Sequence, residues 1–559
     1  MTATIRFGFV AIFFVAIFAA AGLAGCGGRD AFWSTSIDPA PPAFGLPGAV
    51  ALVDTGATRV VLLTPGLDQS LTSTSIPVGP NILNAVASPD GKKLFVVSGG
   101  HRGGIGDARP NESPSLTVIA PGGSAPVVQK YLLTTLTDPL AGLAIDPGGH
   151  WVVLYAGSGT GQPFVSNPNE LVILDVTQPP KTATPITHTL MSFGGRPERF
   201  TFTPPLALPT GLHPLLVIES DQGLSLLQLE HPEIPEITVP LTNATDTSLL
   251  TPAGIAVDVG DATDGARIGI RLANDSDVVT LQFVIQPGAD LATQNGFVPT
   301  VNLTDVGGIA TDLAFVHTDG GLRLAALVPG LSKATLIDPV TSLTEDVAMP
   351  ARYQSLSLVT DPNNDLSATD PAATIDVALL WNAAVSAGQE GVAFWELGHT
   401  AGQPYRSIAT VGITDTIAKI LDVPAVPMGD TLKVLETSDA ASFYVLDLTT
   451  RTAAPLLTST TSIDLSMSPL GDQVWTFIPN GLEVAATSLQ TKQPRSLLIE
   501  RPVGQVFEIQ RADGGLSVIV IHDEGGIGAT VYDATTLDDQ TRRLYPGLLT
   551  ADPSTGGAP

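Results

Sequence analysis

Apolar residues along this chain come in short runs separated by clusters of proline, glycine and aspartate, and the runs recur. The clearest unit is Ala85-Val86-Ala87-Ser88-Pro89-Asp90-Gly91-Lys92-Lys93-Leu94-Phe95-Val96-Val97: a short apolar stretch, a turn, then a strong apolar strand. It returns as Leu143-Ala144-Ile145-Asp146-Pro147-Gly148-Gly149-His150-Trp151-Val152-Val153-Leu154 and as Leu465-Ser466-Met467-Ser468-Pro469-Leu470-Gly471-Asp472-Gln473-Val474-Trp475-Thr476-Phe477. Proline presets φ for the turn and a following Gly or Asp tolerates positive φ, so each copy predicts a tight hairpin. The turns Asp319-Gly320-Gly321-Leu322 and Asp513-Gly514-Gly515-Leu516 put a hairpin at the same place in two further units.

A second strand follows each strong one, at residues 116–120, 171–175, 225–229, 278–284, 334–338, 392–397, 443–448, 482–486 and 529–533, and residues 49–53 with 59–64 form one more pair. Units therefore begin near 84, 142, 198, 253, 311, 354, 416, 462 and 504, spaced by 42 to 62 residues. That spacing exceeds a helical solenoid's and suits four strands plus variable loops. Continuous apolar runs such as residues 151–155 fit strands buried on both faces between stacked sheets. No stretch beyond residue 26 keeps a capped 3.6-residue apolar period, so the body, residues 49–550, is expected to be all-β, with a tail at 551–559.

The segment running from Ile76-Pro77-Val78-Gly79-Pro80 to Ser88-Pro89-Asp90-Gly91 and on through Leu94-Phe95-Val96-Val97 resembles YVTN-type repeats. The units at 142 and 462 share the pattern in part, and the others share its spacing and polarity. The resemblance implies a β-propeller, a radial array of four-stranded blades that leaves only short sheet edges. Ten candidate units exceed the typical four to eight blades. No Pro/Ser-rich linker divides the body, which favours one ring of seven to ten blades; an array of β-sandwiches is the alternative. Some relatives of this type are lactonases, so the resemblance also allows an enzyme, although no residue can be carried over as catalytic.

Ahead of the body, residues 7–25 carry no charge, and Arg6 is the one basic residue before them. The run ends Leu23-Ala24-Gly25-Cys26, and Cys26 is the sole cysteine. Small residues before a cleavage point mark a signal peptide. These four residues resemble the bacterial lipobox, which implies that residues 1–25 are removed and that Cys26 is lipidated and anchors the chain to a membrane. Several acyl chains, at about 0.8 kcal/mol per buried CH₂, anchor stably. Gly27 rather than Asp follows, which by the same resemblance implies the outer membrane. Residues 26–48 contain Pro39, Pro41, Pro42 and Pro47 without a strand or helix period and read as a tether.

Charge narrows the choice of partners. The chain carries a formal −28, and loss of Arg6 with residues 1–25 brings it to −29. Nucleic acid and anionic bilayers recruit clustered Lys and Arg, so neither suits this surface. A single cysteine rules out an intramolecular disulfide and a cysteine metal cluster. The eight histidines are dispersed without an H-E-x-x-H pair, and no G-x-S-x-G elbow or phosphate loop is present. Asp258, Asp261 and Asp264 recur every third residue, not every second as in a calcium loop, and read as a solvated turn. The sequence thus assigns no catalytic residue, metal or cofactor. It leaves two functions: a binding or scaffold lipoprotein meeting an envelope protein or glycan, and an envelope lactonase or hydrolase with its site in the channel.

If strands a to d of a blade run outward from the centre, a–b and c–d turns share one face, and b–c loops and d-to-a crossings share the other. The b–c loops of the units at 84 and 142, residues 99–113 and 158–169, are long and belong to neighbouring blades. His101, Arg102, Asp107 and Arg109 on the first are a local exception to the acidic surface and mark the candidate binding face, with Arg102 and Arg109 meeting an anionic group.

Overall fold

The computed structural model describes residues 40–547, apart from 104–110, 123–124, 135, 137, 158–164, 192–195, 221–222, 243–248, 360–374, 383–390, 400–405, 425–430, 440, 459–462, 524–527 and 538–540. Its strands, numbered β1–β40 along the chain, form ten sheets, each of four consecutive antiparallel strands. The first strands are β1 (Ala40–Leu46), β5 (Ile82–Ala87), β9 (Gly142–Ile145), β13 (Pro197–Leu208), β17 (Pro252–Asp258), β21 (Asp312–Thr318), β25 (Ser355–Val359), β29 (Ile417–Asp422), β33 (Asp464–Met467) and β37 (Val503–Gln510). Nine of these begin within two residues of the unit starts read from the sequence. A single 3₁₀ turn, Pro329–Leu331, is the only helical element among the described residues.

Burial orders each sheet from inside to outside. Second strands such as β2 (Ala49–Asp54) and β6 (Leu94–Ser98) are buried along their whole length. Fourth strands such as β24 (Thr344–Ala348) and β36 (Pro494–Leu498) are mostly exposed. First strands are half-buried, as in β5 and β9, and first strands of neighbouring sheets approach one another. The molecule is therefore a ten-bladed β-propeller with strand a lining the centre. Apolar side chains of strands b and c fill the spaces between blades; one such layer joins Leu215 and Val217 to Ile268 and Ile270.

The hairpin turns obey the chemistry read from the sequence. Gly91, Gly149 and Gly471 hold φ of +68°, +64° and +69° at the same place in their turns. A side-chain oxygen caps each turn: Ser88 Oγ accepts from the Lys93 amide at 2.9 Å, Asp146 Oδ1 from the Trp151 amide at 2.7 Å, and Ser468 Oγ from the Leu470 amide at 3.2 Å. Residues 40–46, read from the sequence as part of a tether, form a strand instead: β1 pairs with β2, with Phe44 opposite Ala51. A first strand has a free inner edge, so its prolines forfeit few ladder bonds.

The ring closes without exchanging a strand: β1 and β2 share no strand ladder with β37. Val50, Leu52, Val61 and Leu63 of blade 1 pack against Ile509, Ile519, Ile521 and Val531 of blade 10. At about 1.5–3 kcal/mol per buried side chain, this joint resembles any other inter-blade layer. Polar contacts fix its register. Gln505 Oε1 accepts from the Ala43 amide at 2.7 Å, Gln69 Oε1 from Ser517 Oγ at 3.0 Å, and Tyr545 Oη from the Leu71 amide at 2.9 Å.

Candidate functional site

Antiparallel pairing puts the b–c loops and the d-to-a crossings on one face. His101 and Glu112 pair across the base of the blade 2 loop, each amide donating to the other's carbonyl at 2.8 Å. Arg102 Nη2 donates to the Leu136 carbonyl at 3.0 Å, in the crossing from blade 2 to blade 3. In the same crossing Asp138 Oδ2 accepts from the Ser166 amide, on the blade 3 loop, at 2.6 Å. The described parts of the two loops thus flank one crossing. Asp107 and Arg109 lie outside the described residues, as do Cys26 and residues 1–39.

The inner wall is largely apolar. Ile82, Leu143, Ile145, Phe200, Phe202, Ile255, Leu465 and Phe507 stand half-buried along it. At the a–b mouth, turns of blades 8, 9, 10, 1 and 2 border a hollow of about 550 Å³, where Phe507, Met467, Pro47 and Pro469 lie beside Asp90 and Glu508. Glu508 is 5% exposed and is held by the fold: the Trp475 indole N–H donates to Oε2, and Ser468 Oγ contacts Oε1 at 3.2 Å. Burial pushes its carboxyl above the ordinary glutamate range.

On the opposite rim, Arg199 pairs with Glu219 across β13 and β14 (Gly211–Ser220) and donates to the Ala253 carbonyl of blade 5 at 2.9 Å. Burial raises the Glu219 carboxyl despite that arginine. Asp312, at the start of β21, is likewise raised by burial, although its oxygens accept from the Leu313 and Leu356 amides, each at 2.9 Å. Sequence reasoning missed this charged rim. Its members are 113 residues apart in the chain, from Arg199 to Asp312, and only the blade register brings them together.

Some of the other histidines and acids tie blades to one another. His188 Nε2 meets Glu236 at 2.8 Å between blades 3 and 4. Between blades 6 and 7, Asp319 takes His399 Nδ1 at 2.6 Å and Arg406 Nη1 at 3.0 Å. Burial opposes ionisation of Asp319, but these partners outweigh it and hold its carboxyl below the ordinary range. In the aspartate-rich turn of blade 5, Asp258 pairs with Arg267 at 3.1 Å, and Asp261 accepts from the Thr263 and Asp264 amides, each at 2.7 Å. Those bonds are the turn's own wiring.

No protein-family model matches the chain, and no curated protein is similar to it. Similar solved structures include the dihydro-heme d1 dehydrogenase NirN in complex with DHE, at 12% identity over 84% of this chain and 78% of that one, with a TM-score of 0.35. The Dos1 propeller is 14% identical over 70% and 92%, with a TM-score of 0.37. Apo AztD from Citrobacter koseri is 10% identical over 80% and 93%, with a TM-score of 0.34.

Proposed function

We propose that this chain is an exported lipoprotein whose propeller acts as a binding or scaffold module at the cell envelope. The address rests on Leu23-Ala24-Gly25-Cys26. Thirteen residues lie between Cys26 and the first strand at Ala40, fourteen Cα steps and a reach of about 50 Å when fully extended. The ring then stands close to the membrane that holds its lipid, which Gly27 assigns to the outer membrane, and the −29 charge of the processed chain keeps it from lying down on anionic headgroups. The Ser-Pro-Asp-Gly and Asp-Pro-Gly-Gly turns, with their capped first residue and left-handed glycine, support a kinship with YVTN-type propellers. Mass spectrometry of the native protein is expected to find a lipid-modified Cys26 as its first residue. An intact Met1 or Thr2 terminus in the membrane fraction would refute this.

The binding role is carried by one observation: the described ends of the long loops of blades 2 and 3 flank a single crossing, through Arg102 on Leu136 and Ser166 on Asp138. An envelope protein or glycan presenting an anionic group would meet it at Arg102 and Arg109. The double substitution Arg102→Ala with Arg109→Ala, in the lipidated full chain, is expected to lower in-cell crosslinking to the partner about tenfold, equivalent to about 1.4 kcal/mol. The melting temperature should shift little, because Arg102 gives up a single side-chain bond, to the Leu136 carbonyl. Undiminished crosslinking in a folded double variant would remove this face from the proposal.

A further inference from the structure

The hollow of about 550 Å³ at the mouth where the a–b turns meet has the size of a small-ligand pocket, commonly about 300–1,000 Å³. Its wall is largely apolar: Leu46, Pro47, Met467, Pro469, Phe507 and Ile509 all line it. Leu46 and Ile509 are buried, whereas Met467 and Phe507 are half-buried. The Phe507 ring lies against Gly45 of β1, where a Cβ would stand 3.0 Å from the ring's Cδ1. A side chain at residue 45 would press on that ring, so the glycine makes room for an aromatic surface in the hollow.

The charged side chains in the lining are both acids, Asp90 and Glu508. Glu508 is engaged by Trp475 and Ser468, and burial disfavours its charge. Burial opposes ionisation of Asp90 as well. There the Ser88 hydroxyl, donating to Oδ1 at 2.6 Å, and the Lys92 amide, at 3.1 Å, outweigh it and hold the carboxyl below its ordinary range. Oδ2 meets Lys92 Nζ at 3.2 Å, and that lysine side chain is 70% exposed. An ion pair so open to water is weak and exchanges readily. Two other cations of the adjoining turns are engaged elsewhere: Lys93 Nζ donates to the Gly149 carbonyl at 3.0 Å, and Arg511 pairs with Asp513 and Asp533.

We infer that this hollow binds a small organic cation with an apolar body, its charge met by Asp90 and its body by Phe507, Met467 and the neighbouring prolines. An aromatic ring beside a carboxylate suits such a charge twice over, since the ring face attracts cations as well. Other ligand classes fit less well. An anion meets two acids. A bare calcium ion needs six to eight oxygens around it, which an apolar wall does not supply. A neutral apolar molecule would cover the Asp90 carboxylate without giving it a partner. The chain's −28 charge also draws cations toward the mouth. The site lies on the face opposite the loops of blades 2 and 3 and depends on neither those loops nor the lipid.

Calorimetric titration of the full-length protein with hexyltrimethylammonium, hexanol and hexanoate tests this. The cation is expected to bind, and hexanol and hexanoate to bind at least tenfold more weakly. Asp90→Asn keeps an Oδ1 acceptor for Ser88 and the Lys92 amide, so the turn stays closed, and it should weaken the cation at least tenfold. Lys92→Met removes the competing ammonium and should tighten the cation about threefold, an opposite sign that a merely structural turn would not give. Phe507→Leu should weaken it at least threefold and carries the test if the asparagine variant does not fold. Cation binding that is absent from the native protein, or unchanged in the folded Asp90 and Phe507 variants, overturns the site. A Lys92→Met variant that binds no more tightly removes Asp90 as the counter-charge, and hexanol or hexanoate binding as tightly as the cation overturns the choice of ligand. These titrations use no loop residue and no envelope partner, so their outcome is separate from that of the crosslinking experiment above.

Discussion

Replacing Arg59 by alanine is expected to cost about 3–5 kcal/mol of stability, the range found when one member of a buried ion pair is removed. Arg59, at the start of β3 (Arg59–Pro65), is 0% exposed, and its Nε lies 2.9 Å from Oδ2 of Asp54, itself 2% exposed at the end of β2. Asp54 also accepts from the Ala57 amide at 3.0 Å, so one carboxylate closes the turn and holds the arginine. Without the guanidinium that carboxylate stays out of water with the Ala57 amide but without the cation that balances its charge. The double replacement Asp54→Asn with Arg59→Met should therefore cost less than Arg59→Ala alone, because no charge is stranded. The shift in urea midpoint of the three variants checks this. A loss below about 1 kcal/mol for the single variant, the level of a surface pair, would show that water reaches the site.

Truncating Trp475 to alanine is expected to cost a similar amount, about 3–5 kcal/mol, for a different reason. The side chain is 0% exposed in β34 (Gln473–Phe477), packed against Val503, Val506 and Val518, and a cavity would replace it between blades 9 and 10. Its loss also strips Glu508 of the indole donor. Glu508 responds to pH in a defined sense. Its carboxyl is raised by burial above the ordinary 4.5, so its contribution is complete below that value and is lost as pH rises through the folded-state value. Glu508→Gln keeps an acceptor for the indole and never ionises. The gap in urea midpoint between this variant and the native protein is expected to widen in the variant's favour as pH climbs from 4.5. A gap that stays flat across that climb would mean that Glu508 ionises in the fold as freely as in water.

Strands b and c were legible in the sequence because they are buried on both sides and read as unbroken apolar runs; Trp151, Val152, Val153 and Leu154 in β10 (Trp151–Tyr155) are an example. The a–b turns were legible because each needs a left-handed residue, and glycine supplies it at 91, 149 and 471. Outer strands left little signal. Thr344, Glu345, Asp346, Val347 and Ala348 pair by one edge and otherwise face water, so nothing forces an apolar choice on them. The strand Ala40–Leu46 was hidden by its prolines, which a free inner edge tolerates. The loops of blades 2 and 3 announced themselves by length and by the arginines at 102 and 109. The charged rim of Arg199, Glu219 and Asp312 did not, because only the register of the blades brings those residues together.

Because each blade takes its four strands from one continuous stretch of chain, almost every hydrogen-bonded contact is local, and a low contact order favours quick folding for a β protein of this size. The joint between blades 1 and 10 is the exception: Gln69 and Ser517 are 448 residues apart. During synthesis blade 1 is finished first, yet the face carrying Val50, Leu52, Val61 and Leu63 has nothing to lie against until residues 503–545 have been made. For that interval the growing protein is an open arc with a greasy end, the kind of surface that captures other chains. A premature stop anywhere before blade 10 therefore yields more than a shortened ring: it leaves that adhesive end permanently exposed. Selection against aggregation should then weigh on the last blade as heavily as on any surface that meets a partner.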